Sequence, residues 1–80
     1  MKENNILLGF GNSLRSLRNK YNLSQENFAY RCNLDRTYIS GLERGKRNPT
    51  LLALHKIATS LDMSLSELFI KLNEVSKCQI

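Results

Sequence analysis

The sequence predicts an all-α fold of five helices. Apolar residues recur at helical spacing along most of the chain. No segment alternates apolar and polar residues for long enough to suggest a strand, and Pro49 is the only proline. Eighty residues leave room for one core, so 1–80 reads as a single domain without repeats, low-complexity stretches or an interdomain linker. Hydrophobic residues at 41% and charged residues at 24% are ordinary values for a globular chain.

Residues 1–5 read as a polar tail. The first helix is expected over about Leu7 to Lys20, where Phe10, Leu14, Leu17 and Tyr21 repeat at helical spacing; Gly9 and Gly11 blur its start. Ser24 is a good N-cap for the second helix, and Glu26 in the first turn suits the helix dipole. Phe28, Ala29 and Cys32 face inward. Asn33 breaks the helix, because asparagine tolerates the left-handed conformation a sharp turn needs. Leu34 then plugs the core, Asp35 caps the third helix and Gly45 ends it. After the basic loop Lys46-Arg47-Asn48-Pro49, Thr50 caps a fourth helix with the apolar stripe Leu51, Leu54, Ile57, Ala58 and Leu61. Asp62-Met63 turns the chain. Ser64 with Glu67 fits a capping box opening the fifth helix, about 64–75, lined by Leu65, Leu68, Phe69 and Leu72, with a frayed end from Ser76 to Ile80.

Advancing about 100° per residue along the third helix puts Ile39 and Leu42 on one face with Glu43 beside them. Thr37, Gly41 and Arg44 fall opposite, Tyr38 and Ser40 at the margins, and Arg36 at the tip. Most of these outward side chains form hydrogen bonds of the kind that reach base edges or phosphates. Glycine inside a helix costs about 0.5–1 kcal/mol relative to alanine. Two readings of Gly41 stay open: close approach of a DNA strand, or a neutral relic. Glu43 is acidic near the buried side and needs a partner. Arg18 is the candidate, tying the first helix to the third; the alternative is two separate surface charges.

The net charge of +5 and pI near 9.6 fit a polyanionic partner, although many small soluble domains are basic without one. Two helices joined by a tight turn over 24–49, with a basic, polar outer face on the second, are how a protein puts a helix into the DNA major groove. An enzyme is not expected. Cys32, Cys78 and His55 are too far apart in sequence for metal-site spacing, and no strand precedes a glycine-rich phosphate loop. No cofactor or small-molecule ligand is called for. Cys32 reads as an inert core thiol, Cys78 as part of the frayed tail, and His55 as a partly buried ring. No signal peptide or membrane-spanning run is visible, which points to a reduced bacterial or phage cytoplasm.

The segment resembles the helix-turn-helix of the phage-repressor and Cro-like superfamily, the lambda-repressor-like fold. Ser24-Gln25-Glu26 opens the second helix, Ala29 is its small contact residue, and Ile39 and Leu42 pack the third. Glu43-Arg44-Gly45, the Arg47-Asn48-Pro49 loop and the Leu-Ile-Ala-Leu pattern of the fourth helix follow. The turn residue, often glycine in that superfamily, is Asn33 here. The match runs from about Gly11 to Phe69. Within the superfamily, the string from Asn33 to Arg44 is similar to the controller proteins of bacterial restriction-modification systems.

The resemblance implies a homodimer on palindromic double-stranded operator DNA, with the third helix in the major groove. By positional match, Arg36, Thr37, Tyr38 and Ser40 would read or flank bases, Arg36 being the best candidate for guanine because its fork fits the O6/N7 edge. Gln25 would hold a phosphate, with Ser24, Tyr30, Arg44, Arg47 and Asn48 as further phosphate candidates. One recognition helix covers few base pairs, so specificity requires a dimer. The fifth helix is the expected interface, with Leu65, Phe69, Leu72 and Val75 toward the partner and Leu68 inward; the alternative is that all of them cover the core. Controllers of this kind activate transcription at low occupancy and repress at high occupancy, delaying the nuclease until methylation has protected the host. Glu26 would touch RNA polymerase, or only complement its helix dipole. A phage or operon repressor of the same fold, and a toxin-neutralising antitoxin, are the alternative functions.

Overall fold

The first four helices each stop at one left-handed residue, and these stops set the path of the chain. The computed structural model describes residues 3–78. It contains α1 (Glu3–Lys20), α2 (Gln25–Cys32), α3 (Arg36–Glu43), α4 (Leu51–Ser60) and α5 (Leu65–Cys78). The stops are Asn22 (φ 58°), Asn33 (φ 56°), Gly45 (φ 72°) and Asp62 (φ 61°). After each, the next N–H returns to a carbonyl in the last turn: Leu23 to Arg18 at 3.3 Å, and Leu34 to Ala29, Lys46 to Gly41 and Met63 to Ala58 at 2.9 Å. This closes carbonyls that the helix ends would otherwise leave bare. Leu23, Leu34 and Met63 then fold onto the core, which aims the following helix back across it.

The starts are equally local. Ser24 Oγ accepts from the Asn27 N–H and Thr50 Oγ1 from the Ala53 N–H, both at 3.0 Å. In the capping box the Ser64 N–H donates to Glu67 Oε1 at 2.8 Å, and the Glu67 N–H donates to Ser64 Oγ at 3.1 Å. The Ser64 backbone N–H, and then its hydroxyl, hold the Glu67 carboxyl below the usual carboxylate range. Asp35 occupies the N-cap of α3 but its side chain makes no capping bond.

Helix α1 packs on α3 and α5, α2 on α3 and α4, and α4 on α5. Leu14, Leu17, Phe28, Ile39, Leu42, Ile57 and Leu68 are the largest fully buried side chains between them. Burying each contributes about 1.5–3 kcal/mol. Gly11 permits the tightest approach, since a Cβ there would lie 2.6 Å from the Glu43 carbonyl oxygen and against that of Leu42. Its position one turn before Leu14 on the same stripe is the sequence signal for a packing glycine rather than a helix breaker.

Several expectations are corrected. Residues 3–5 belong to α1 and not to a tail; residues 1–2 lie outside the described part. Helix α5 runs on to Cys78 rather than fraying from Ser76, and residues 79–80 and the Cys78 side chain lie outside the described part. Leu72 and Val75 are buried in the chain's own core, because α5 lies along α1 and hides the stripe Leu68, Leu72, Val75. His55 is exposed, and Tyr21 is 41% exposed. Cys32 is buried with Sγ 3.3 Å from Ser60 Oγ, and burial pushes its thiol up.

Candidate nucleic-acid interface

Helix α3 is held from behind and below. Ile39 and Leu42 are fully buried, and Glu43 follows them into the protein with its side chain completely enclosed. Arg18 meets that carboxylate with two prongs, Nε to Oε2 at 2.6 Å and Nη2 to Oε1 at 3.0 Å. Its remaining nitrogen donates to the Leu23 carbonyl at 2.8 Å. Such a pair adds little net stability over apolar packing, but removing one partner leaves a buried charge unpaired and is costly. The Gln25 Nε2 also donates to Glu43 Oε1 at 3.0 Å. So α1, the start of α2 and the end of α3 meet on one carboxylate, which sets where the front of α3 points.

The front carries Arg36 and Thr37, both exposed, with Ser40 half-buried one turn on. Tyr38 is half-buried instead of fully presented. Its ring packs against the core edge, its hydroxyl accepts from the Thr50 N–H at 3.4 Å, and the Arg47 guanidinium lies 5.5 Å over its face. The ring therefore braces the loop before α4 as well as bordering the outward face.

The same loop overturns the expected exposure of Gly41. That residue is buried, and a Cβ on it would sit 2.8 Å from Arg47 Cγ. The glycine makes room for the Arg47 stem, not for a DNA strand. The helical projection assigned its angle correctly, but a returning loop covers it.

Ser24, Tyr30, Arg44, Arg47 and Asn48 are all exposed, Tyr30 at 87%. Ser24 stands at the start of α2, Tyr30 within it, and Arg44, Arg47 and Asn48 in the connection after α3. An open groove of about 530 Å³ runs past Arg18, Ser24, Gln25, Glu26 and Arg36, joining the α2 start to the α3 tip. A second hollow of about 360 Å³ is bordered by Asp35, Thr37, Tyr38, Arg47 and Lys56. Among the described residues no cluster of His, Cys, Asp and Glu could hold a metal ion, and no helix is long and apolar enough to cross a membrane.

On α5, Phe69 is 49% exposed and Leu65 half-buried. Ile70, 57% exposed, was not among the interface candidates. Phe69 borders an apolar hollow of about 180 Å³ shared with Ile6, Phe10, Pro49 and Leu54.

The helix-turn-helix family pattern matches residues 14–68. The control protein C.MunI from Mycoplasma sp is 54% identical over 67 residues, covering 82% of this chain and 90% of that protein. The restriction-modification controller protein C.AhdI from Aeromonas hydrophila superposes with a TM-score of 0.73 at 49% identity, over 79% of this chain and 96% of that one. The chain belongs to the helix-turn-helix family of restriction-modification control proteins. Another controller, C.Esp1396I, has been solved as a tetramer in complex with its natural 35 base-pair operator; it is 37% identical with a TM-score of 0.75, over 88% of this chain and 92% of that one. Controller-family membership and the five-helix fold agree with the sequence-based reading.

Proposed function

We propose that this controller-family chain is a cytoplasmic transcription regulator that binds palindromic operator DNA as a homodimer, with α3 in the major groove. The carrying observation is that Arg36 and Thr37 stand exposed at the tip of a helix whose other end is locked through Glu43. A guanidinium fork on a fixed helix suits the O6/N7 edge of guanine, and the Thr37 methyl and hydroxyl suit a neighbouring base. Ser40 and the Tyr38 margin flank that contact. Ser24, Gln25, Tyr30, Arg44, Arg47 and Asn48 take phosphates, Gln25 with the amide hydrogen not engaged by Glu43.

A second copy covers the exposed Phe69 and Ile70 of α5 and the hollow that Phe69 shares with Ile6, with Leu65 of the same helix as a further contact. Two α3 helices then read half-sites about 34 Å apart. Occupancy by one dimer activates transcription and by a second dimer represses it, the operator-bound C.Esp1396I tetramer being the support for the higher state. Glu26, exposed on α2, is the candidate contact for RNA polymerase.

Binding-site selection on random duplex DNA tests the reading. It should return a palindrome with half-sites one helical turn apart. No enrichment, or a site without two-fold symmetry, overturns it. Transcription from the selected operator should rise and then fall as the protein is titrated.

A further inference from the structure

Glu43 attracts more positive charge than one carboxylate neutralises. Arg18 meets it with a paired contact and is itself almost enclosed, its side chain 11% exposed and its guanidinium engaged by Glu43 and the Leu23 carbonyl. Arg15, one turn earlier on α1, brings a second guanidinium to the same group. Its Nε lies 3.7 Å from Glu43 Oε1, too far for a hydrogen bond, and its side chain is 54% exposed. Arg15 is thus oriented by the carboxylate without being consumed by it. A guanidinium carries five N–H donors, and with half of this side chain exposed, some of them are open to a partner from solvent.

Position says which partner. The oxygen that Arg15 faces also accepts from Gln25 Nε2 at 3.0 Å. Arg15 and Gln25 therefore flank one atom, and Gln25 opens α2 on the groove that leads past Ser24 and Glu26 to Arg36. Glu26 is the acidic group in that groove. Arg18 neutralises Glu43, so the surplus charge at this junction is that of Arg15. We infer that Arg15 is a further DNA-backbone contact, its guanidinium taking a phosphodiester oxygen of the strand that passes the start of α2. The inference rests on the duplex-binding reading above. It lies outside the helix-turn-helix itself, and the contact would fix register without reading sequence.

The full-length Arg15→Gln variant tests it, with fluorescence anisotropy on two probes, a duplex carrying the selected palindrome and one of unrelated sequence, across a salt series. The expected result is an unchanged melting temperature, affinity lowered by the same factor on both duplexes, and a slope of log K against log salt shallower by about one per protomer. Arg15→Lys keeps the charge and should keep the slope. Wild-type affinity and slope in Arg15→Gln overturn the inference. So does a loss of affinity matched by a loss of folded protein at unchanged slope, which makes Arg15 only a member of the ion-pair network. Failure of the wild-type chain to bind either duplex overturns the duplex-binding reading itself.

Discussion

At its C-terminal end α3 keeps its polar side chain engaged inside the protein, whereas at its N-terminal end the polar side chains face solvent. Glu43 accepts from Arg18 and Gln25 and is fully enclosed, and Gly11 of α1 lies against the Leu42 and Glu43 carbonyls. Two turns earlier Arg36 and Thr37 are exposed, and even the capping residue Asp35 makes no side-chain bond to the helix. A short helix can present flexible side chains reproducibly only if its axis is fixed elsewhere. Here one end is fixed by its partners and the other is open to solvent, where the proposed function puts recognition, so substitutions at the two ends should separate fold stability from DNA binding.

Glu43→Ala should have the largest effect. It leaves the Arg18 guanidinium enclosed without its carboxylate, and should cost about 3–5 kcal/mol in a urea titration. An unchanged midpoint would show that the ion pair does not hold the end of α3 in place. Next comes Gly11→Ala. Alanine gains about 0.5–1 kcal/mol over glycine in a helix, but its Cβ would meet backbone, which cannot rotate away. The overpacking cost of about 1–3 kcal/mol should win and destabilise the protein. Gly9→Ala is the control, because nothing lies within 4 Å of its Cβ position, and it should stabilise.

At the other end, Arg36→Ala should leave stability within about 0.5 kcal/mol of wild type yet cost about 1–3 kcal/mol of operator binding and relax preference at one base position. Intact sequence preference in a repeated site selection would remove Arg36 from the base-reading set. The smallest effect should come from the caps. Ser24→Ala loses a real capping bond and should cost about 1 kcal/mol. Asp35→Ala loses only a charge near a helix dipole, about 0.3–1 kcal/mol. Thermal melts of the pair would sharpen the contrast, and equal losses would show that Asp35 caps its helix in solution after all.

What the sequence made legible was whatever its neighbours determine. Ser24, Asn33, Gly45, Thr50 and the Ser64–Glu67 box mark helix ends through bonds spanning three to five residues, and all of them occur where the residue types require. Less legible was anything decided by a distant segment. Gly41 has the angular position of an outward residue but is covered by Arg47. Leu72 and Val75 look like spare apolar surface until α1 is laid along α5. Gly11 resembles a breaker until α3 arrives against it. Nothing in the sequence puts Arg15 of α1 near the start of α2; only the shared approach to Glu43 Oε1 brings it beside Gln25. In the site, the exposed positions of α3 followed from helical angle alone, while the engagement of Tyr38 and Gln25 depended on partners 12 and 18 residues away.

The left-handed stops at Asn22, Asn33, Gly45 and Asp62 have a kinetic consequence. They keep the connections down to residues 21–24, 33–35, 44–50 and 61–64, so little chain separates one helix from the next, even where α1 reaches forward to α3 and α5. Small helical domains fold in about microseconds to milliseconds. Each newly synthesised copy therefore matures far faster than a gene is transcribed and translated. The pool of folded chains tracks synthesis without a folding lag, and the time left to the system is that of subunit assembly, which depends on concentration.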